Sequence, residues 1–204
     1  MILDRRALIV SGLAAATAMP TLARAAPLPA QPGDHVMGSP SAKVQIVEYA
    51  SMSCGHCAHT AQEVMPVIKK RYIDTGKARL VFREFLTPPY DLAGAGFLLA
   101  NRVPPARYFE AVDAIFAAQK TMYQTGDYWG GLLGVAKRFG LTEAQLEATL
   151  NDKAALAALN ARVDAAAKRD RIQGTPTFFV NGAELVGDVT VEDLSQAIDK
   201  ALKG

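Results

Sequence analysis

The chain has 204 residues, half of them hydrophobic, with 22 basic and 20 acidic side chains and a formal charge of +2. A near-neutral balance with no basic run excludes a nucleic-acid-binding protein of the basic-patch kind. The chain has two cysteines, Cys54 and Cys57, so no disulfide framework staples the fold and the apolar core must hold it.

Residues 1–25 read apart from the rest. Arg5 and Arg6 precede an apolar run of about 13 residues, short of the roughly 20 that a bilayer span needs. Ala23-Arg24-Ala25 then supplies small residues where a signal peptidase reads them. The pattern predicts a cleavable secretory signal over 1–25. Arg5-Arg6 with Leu8 also resembles a twin-arginine export signal, and the general secretion route stays open beside it. Cleavage would remove three arginines and one aspartate, leaving 19 basic and 19 acidic residues.

Residues 26–42, rich in Pro, Gly and Ala, read as an extended lead-in without a regular element. The β-branched stretch KVQIVEY over 43–49 predicts a buried strand. A helix is expected from the cysteines to residue 72, kinked at Pro66 and ended at Gly76. Residues 79–86 (RLVFREFL) form a second strand candidate. From 89 to 171 the period is helical, with Pro104-Pro105 suited to a helix start. Helices are expected over 128–139, 142–150 and 152–168, with Thr142 and Gln145 as a capping box. The helical block shows no polar constellation of catalytic type. TFFV over 177–180, Asn181-Gly182 and 183–186 predict a hairpin. Thr190, with Asp193 three residues on, can cap a final helix. The order β, α, β, helical block, β-hairpin, α predicts an α/β fold with helices packed on a central mixed sheet.

Cys54-Gly55-His56-Cys57 carries the chemistry. A cysteine opening a helix meets unpaired N–H groups and the positive end of the helix dipole, which favour the nucleophilic thiolate. Three-residue spacing puts the second sulfur within disulfide reach across the first turn. Gly55 leaves the space beside the first sulfur open. His56 can donate a hydrogen bond to the thiolate or add positive charge. Cys54 is then the exposed nucleophile and Cys57 the buried resolving thiol. Stabilising the thiolate stabilises the reduced form and makes the disulfide more oxidising. Two alternatives stay open. One is a structural disulfide, although so short a loop gains little chain entropy. The other is a metal site on Cys54, His56, Cys57 and His59, although zinc sites draw on separated ligand pairs. His59 and Met52 are expected at the surface or lining a groove, and Tyr49 in packing.

IVEYASMSCGHC and, about 120 residues later, GTPTFFVNG resemble the DsbA-type thiol:disulfide interchange proteins of the thioredoxin fold. The resemblance runs from about residue 43 to 200. It implies a thioredoxin-like domain over 43–88 and 172–204, with an inserted helical subdomain over 89–171. It makes Pro176 the cis-proline beside the disulfide. Thr175 becomes the residue whose backbone pairs with a substrate peptide. It also makes Glu48 the acidic residue beneath the site, able to relay the proton of Cys57; the plainer reading puts Glu48 at the strand's polar edge. The implied activity is that of a periplasmic dithiol oxidase without metal or cofactor. It would act on reduced exported proteins and be reoxidised by a DsbB-type, quinone-linked membrane partner. The Gly-His dipeptide differs from the Pro-His of the best-known members and also occurs in disulfide isomerases. An isomerase or reductase, or a metal-handling binder of the same fold, therefore stays open. The short stretch ahead of the first strand lacks the oligomerisation segment of known isomerases and favours a monomer.

Overall fold

The computed structural model describes residues 26–204, so the expected signal sequence lies outside the described residues. Five strands form one mixed sheet in the order β1-β3-β2-β4-β5. The central β2 (Val44–Ala50) is buried along its whole length. It pairs parallel with β3 (Ala78–Glu84) and antiparallel with β4 (Thr177–Val180). A parallel pair needs a crossover, and the helical run after β2 supplies it. β5 (Ala183–Val186) closes the hairpin on β4. Asn181 and Gly182 at its turn have φ of +46° and +88°, as the Asn-Gly signal predicts.

One element was not expected. Within the lead-in, His35–Met37 forms β1, antiparallel to β3 with Val36 opposite Val81. Three residues are too few to show a period. The strand exists because β3 would otherwise present an unpaired edge. The segment ahead of it is tied down as well, since Arg83 bonds both the Asp34 carboxylate and the Pro29 carbonyl.

The crossover run starts with α1 (Gly55–His59) and contains α2 (Met65–Ile68). π-helical turns at Thr60–Val64 and Lys69–Ile73 follow each in turn. Pro66 has no N–H to give to Gln62, and the ladder adapts ahead of it. The Met65 N–H reaches back to the Thr60 carbonyl, five residues away. The expected kink at Pro66 is thus met by a widened turn that keeps the helix continuous. Gly76, at φ +72°, ends the run as expected.

The helical block comprises α3 (Tyr90–Arg102), α4 (Tyr108–Thr125), α5 (Tyr128–Arg138), α6 (Glu143–Leu150) and α7 (Lys153–Asp170). Thr142 and Gln145 form the expected capping box. The last helix, α8 (Val191–Lys203), is capped by Thr190 and Asp193 in the same way. The block shares one core with the active end of the sheet. Ala50, Met52, Cys57 and Phe82 pack with Phe97, Tyr108, Ile115 and Phe116. Met52, expected at the surface or lining a groove, is instead fully buried in the core. Gly96 of α3 leaves room for it, since a Cβ there would stand 2.6 Å from that of Met52.

Candidate active site

β2 ends at Ala50, and a short turn delivers Cys54 to the N-cap of α1. The Cys57 N–H donates to the Cys54 sulfur at 3.2 Å, so the sulfur takes the place of a capping oxygen. β4 runs antiparallel to β2, which brings the residues just before β4 beside the β2–α1 turn. Those residues are Thr175 and Pro176, joined by a cis peptide bond as the resemblance implied. The Cys54 thiol donates to the Thr175 carbonyl at 3.3 Å. Cysteine, cis-proline and the exposed Gly55 thus meet at one end of the sheet. A side chain at Gly55 would meet nothing within 4 Å.

The two cysteines differ sharply. Cys54 is partly exposed and Cys57 is fully buried, both as free thiols. The Cys57 thiol hydrogen-bonds the Cys54 sulfur. With Thr175 and the backbone N–H groups of Cys57 and His56, it brings the Cys54 pKa down to about 6. Burial, and then the neighbouring Cys54, push Cys57 well above an ordinary thiol. One sulfur is set up to be an anion at neutral pH and the other to stay protonated.

This asymmetry is testable in the reduced protein. Ultraviolet thiolate absorbance should titrate with a midpoint near 6, from Cys54 alone. Because the folded pKa lies below the ordinary value of 9, folding gains stability from this group in full above about 9. The gain is lost as pH falls through about 6. A midpoint near 9 would contradict the asymmetry.

His56 is placed differently from expectation. Its ring is exposed, and its ionic neighbour among the described residues is Asp188, at 3.8 Å. The backbone N–H of His56, not its ring, acts on the Cys54 sulfur. His59 is exposed, as expected. Glu48 is only 3% exposed, which overturns the polar-edge reading. Burial first, then Asp113 and Cys54, raise its pKa to about 8. Among the described residues no group of three or more histidines, cysteines or acids could hold a metal ion.

The helical block also contributes directly, which its apolar period did not reveal. Gln119 of α4, 3% exposed, donates to the Met52 carbonyl at 2.9 Å and to the Cys54 carbonyl at 3.2 Å. Tyr123, one turn on, donates to the Ser53 carbonyl at 2.7 Å. From the other side, the Ser53 hydroxyl donates to the Thr87 carbonyl, and the Thr87 N–H donates to the Ser51 hydroxyl. Thr87 adjoins a second cis bond, Pro88–Pro89. The turn that aims Cys54 is therefore held from both flanks. Gln119→Leu leaves the buried Met52 carbonyl without its donor and should cost about 1–3 kcal/mol in urea unfolding. Tyr123→Phe loses one half-exposed bond and should cost about 1 kcal/mol. The reverse order would contradict this ranking.

A sheet of this topology, with a helix-capping cysteine pair beside a cis-proline, defines a thioredoxin-fold protein. The thioredoxin family pattern matches residues 30–200, and the chain belongs to that family. A Rickettsia conorii protein with the provisional name protein-disulfide oxidoreductase is 34% identical over 171 residues, which cover 83% of this chain and 61% of that one. This chain thus spans about 61% of the length of that relative. Wolbachia pipientis alpha-DsbA1 superposes with a TM-score of 0.76 at 26% identity, covering 85% of this chain and 93% of that one. A thioredoxin-like oxidoreductase from Silicibacter pomeroyi superposes at 0.64 with 27% identity, covering 85% and 95%.

Proposed function

We propose that the protein is a thiol–disulfide oxidoreductase that donates its Cys54–Cys57 disulfide to exported proteins during oxidative folding in the periplasm. The observation that carries this reading is the pairing of unlike thiols. An exposed sulfur with a pKa near 6 shares a hydrogen bond with a buried sulfur whose pKa is far higher. A reduced form stabilised in this way makes the disulfide a better oxidant.

The roles follow from position. A substrate thiolate attacks the Cys54 sulfur, and Cys57 is the leaving thiol. The substrate's second thiol then attacks its own mixed sulfur, which releases the substrate disulfide and the reduced enzyme. Thr175 offers its backbone to the substrate as an added strand, and Pro176 and Gly55 keep the approach to Cys54 unobstructed. His56 acts through its backbone N–H. Glu48 holds the proton that Cys57 gains as it leaves. In this reading residues 1–25 are a cleaved signal, 26–42 a lead-in that now includes β1, and 89–171 a helical insertion into the thioredoxin unit. A DsbB-type membrane protein reoxidises the pair. The protein works as a monomer, without metal or cofactor. Among the described residues no helix is long and apolar enough to cross a membrane.

Two assays test the direction. Stoichiometric oxidation of a reduced two-cysteine peptide by the oxidised protein is expected. Refolding of a scrambled multi-disulfide protein by the reduced form should be slow. Brisk refolding by the reduced protein alone would make it an isomerase and overturn the oxidase reading.

A further inference from the structure

Beneath the active site lies a cavity of about 190 Å³ between the crossover helix and α4. Its walls are mostly apolar, with Ala61, Phe109 and Phe116 among them. Ala61 lies four residues after Cys57 and so follows it on the same helix face. The deep wall holds Glu48, nearly fully buried, and no hydrogen-bond donor from the described residues reaches its carboxyl. The mouth holds Asp113 of α4 and Lys69, both exposed. A buried carboxyl with no partner, facing a cavity large enough for several waters, needs a reason to persist.

We propose that Asp113, carried on the inserted helix α4, is the outer station through which Glu48 exchanges its proton with solvent across this cavity. The proposal rests on the thiol-exchange reading above and extends it. A substrate thiolate bonds to the Cys54 sulfur, the Cys54–Cys57 bond breaks, and Cys57 departs with the electron pair. It takes the proton of the Glu48 carboxyl, which leaves a neutral thiol and a buried carboxylate. That carboxylate recovers a proton through the cavity from Asp113, and solvent reprotonates Asp113. No electrons enter the cavity.

The surroundings support this route. Beside Glu48 the charged groups lining the cavity are Asp113 and Lys69; Cys54 acts on Glu48 from outside the lining, and Arg138 of α5 and Lys69 act on Asp113. β1 and β3 face the cavity with Met37, Leu80 and Phe82, and β4 sets Phe178 opposite Glu48, none of which titrates. Lys69 is engaged with Asp74 at 2.6 Å, which leaves Asp113 as the acid next to Glu48. Asp113 therefore does two things to Glu48. Its negative charge favours the protonated form, and its carboxyl lines the same cavity and is open to solvent. It acts through Glu48 and so positions the proton rather than touching the sulfurs.

The test is single-turnover oxidation of a reduced two-cysteine peptide, run from mildly acid to alkaline pH with oxidised wild type, Asp113→Asn, Asp113→Glu and Glu48→Gln. Taking each variant's rate as a ratio to wild type at the same pH cancels the titration of the peptide thiol. For Asp113→Asn the ratio should be near one in acid, where Glu48 is protonated in both proteins. It should fall about two- to fivefold at pH 8, where loss of the like charge leaves less Glu48 protonated. Asp113→Glu should restore the wild-type profile. Asp113→Asn should have no effect once Glu48 is Gln, because the relay then has no inner station. A ratio flat with pH in an active wild type, or an undiminished effect in the Glu48→Gln background, overturns the relay alone. A wild type that does not oxidise the peptide overturns the oxidase reading beneath it.

Discussion

Replacing Cys57 by Ser should turn the protein into one that holds its substrates covalently. Cys54 would remain partly exposed, with its thiolate still favoured by Thr175 and the two backbone N–H groups. It would still enter mixed disulfides, yet the neighbour able to expel the bound substrate would be gone. Turnover should fall by on the order of a hundredfold or more, while mixed disulfides accumulate through Cys54. Non-reducing electrophoresis of cell extracts, followed by identification of the bridged peptides, reads this directly. Cys54→Ser should abolish exchange without trapping anything, because Cys57 is fully buried. Trapped species in the Cys54 variant alone would reverse the assignment of nucleophile and resolving thiol.

The second large effect concerns stability and lies across the sheet from the chemistry. Arg83 on β3 is 3% exposed and holds the Asp34 carboxylate with two bonds of 2.7 Å each. It also reaches Asp170 of α7 at 2.8 Å and the Tyr49 hydroxyl at 3.1 Å, while Tyr49 itself donates to Asp170. One guanidinium thus ties the lead-in, the central strand and the end of the helical block. Arg83→Leu leaves the buried Asp34 carboxylate without its cation and Asp170 with Arg169 alone, and should cost about 3–5 kcal/mol in urea unfolding. Lys69→Ala removes an exposed pair with Asp74 and should cost less than about 1 kcal/mol. Equal costs would mean that burial does not set the value of these pairs. Acid should erode the Arg83 contribution late. The Arg169, Tyr49 and Arg83 contacts outweigh burial and hold the Asp170 pKa below its ordinary value. The stability it provides is present above the unfolded carboxyl value and is lost only as pH falls through the lower folded one.

Legibility in the sequence followed the range of the contacts. The strand ending before Cys54, the Asn181-Gly182 turn and the caps at Thr142 and Thr190 are set within a few residues, and all are found where the local pattern puts them. The cis bond before Pro176 was accessible only through the resemblance, because nothing in Gly-Thr-Pro alone demands it. Contacts between distant residues left no local trace. β1 depends on the free edge of β3, and Met52 is buried only because α3 offers Gly96 opposite it. Gln119 and Tyr123 sit in an apolar helical period, and their target carbonyls lie more than 60 residues earlier in the chain. Tyr49 was expected to be packing, and its ring does pack against Phe179. Its hydroxyl nevertheless joins the Arg83 network, which no spacing in the sequence announces. His56 shows the opposite limit: a residue type suited to the chemistry, whose ring points to Asp188 instead.

The unlike thiols of Cys54 and Cys57 remain the centre of the account, and the reduction potential of that pair tests it most directly. Equilibration with glutathione buffers of known poise gives the value. A dithiol oxidase of this type should lie on the order of −120 mV, the potential of DsbA, because its thiolate stabilises the reduced state. A potential near about −270 mV, that of thioredoxin, would contradict the account and make the protein a reductant.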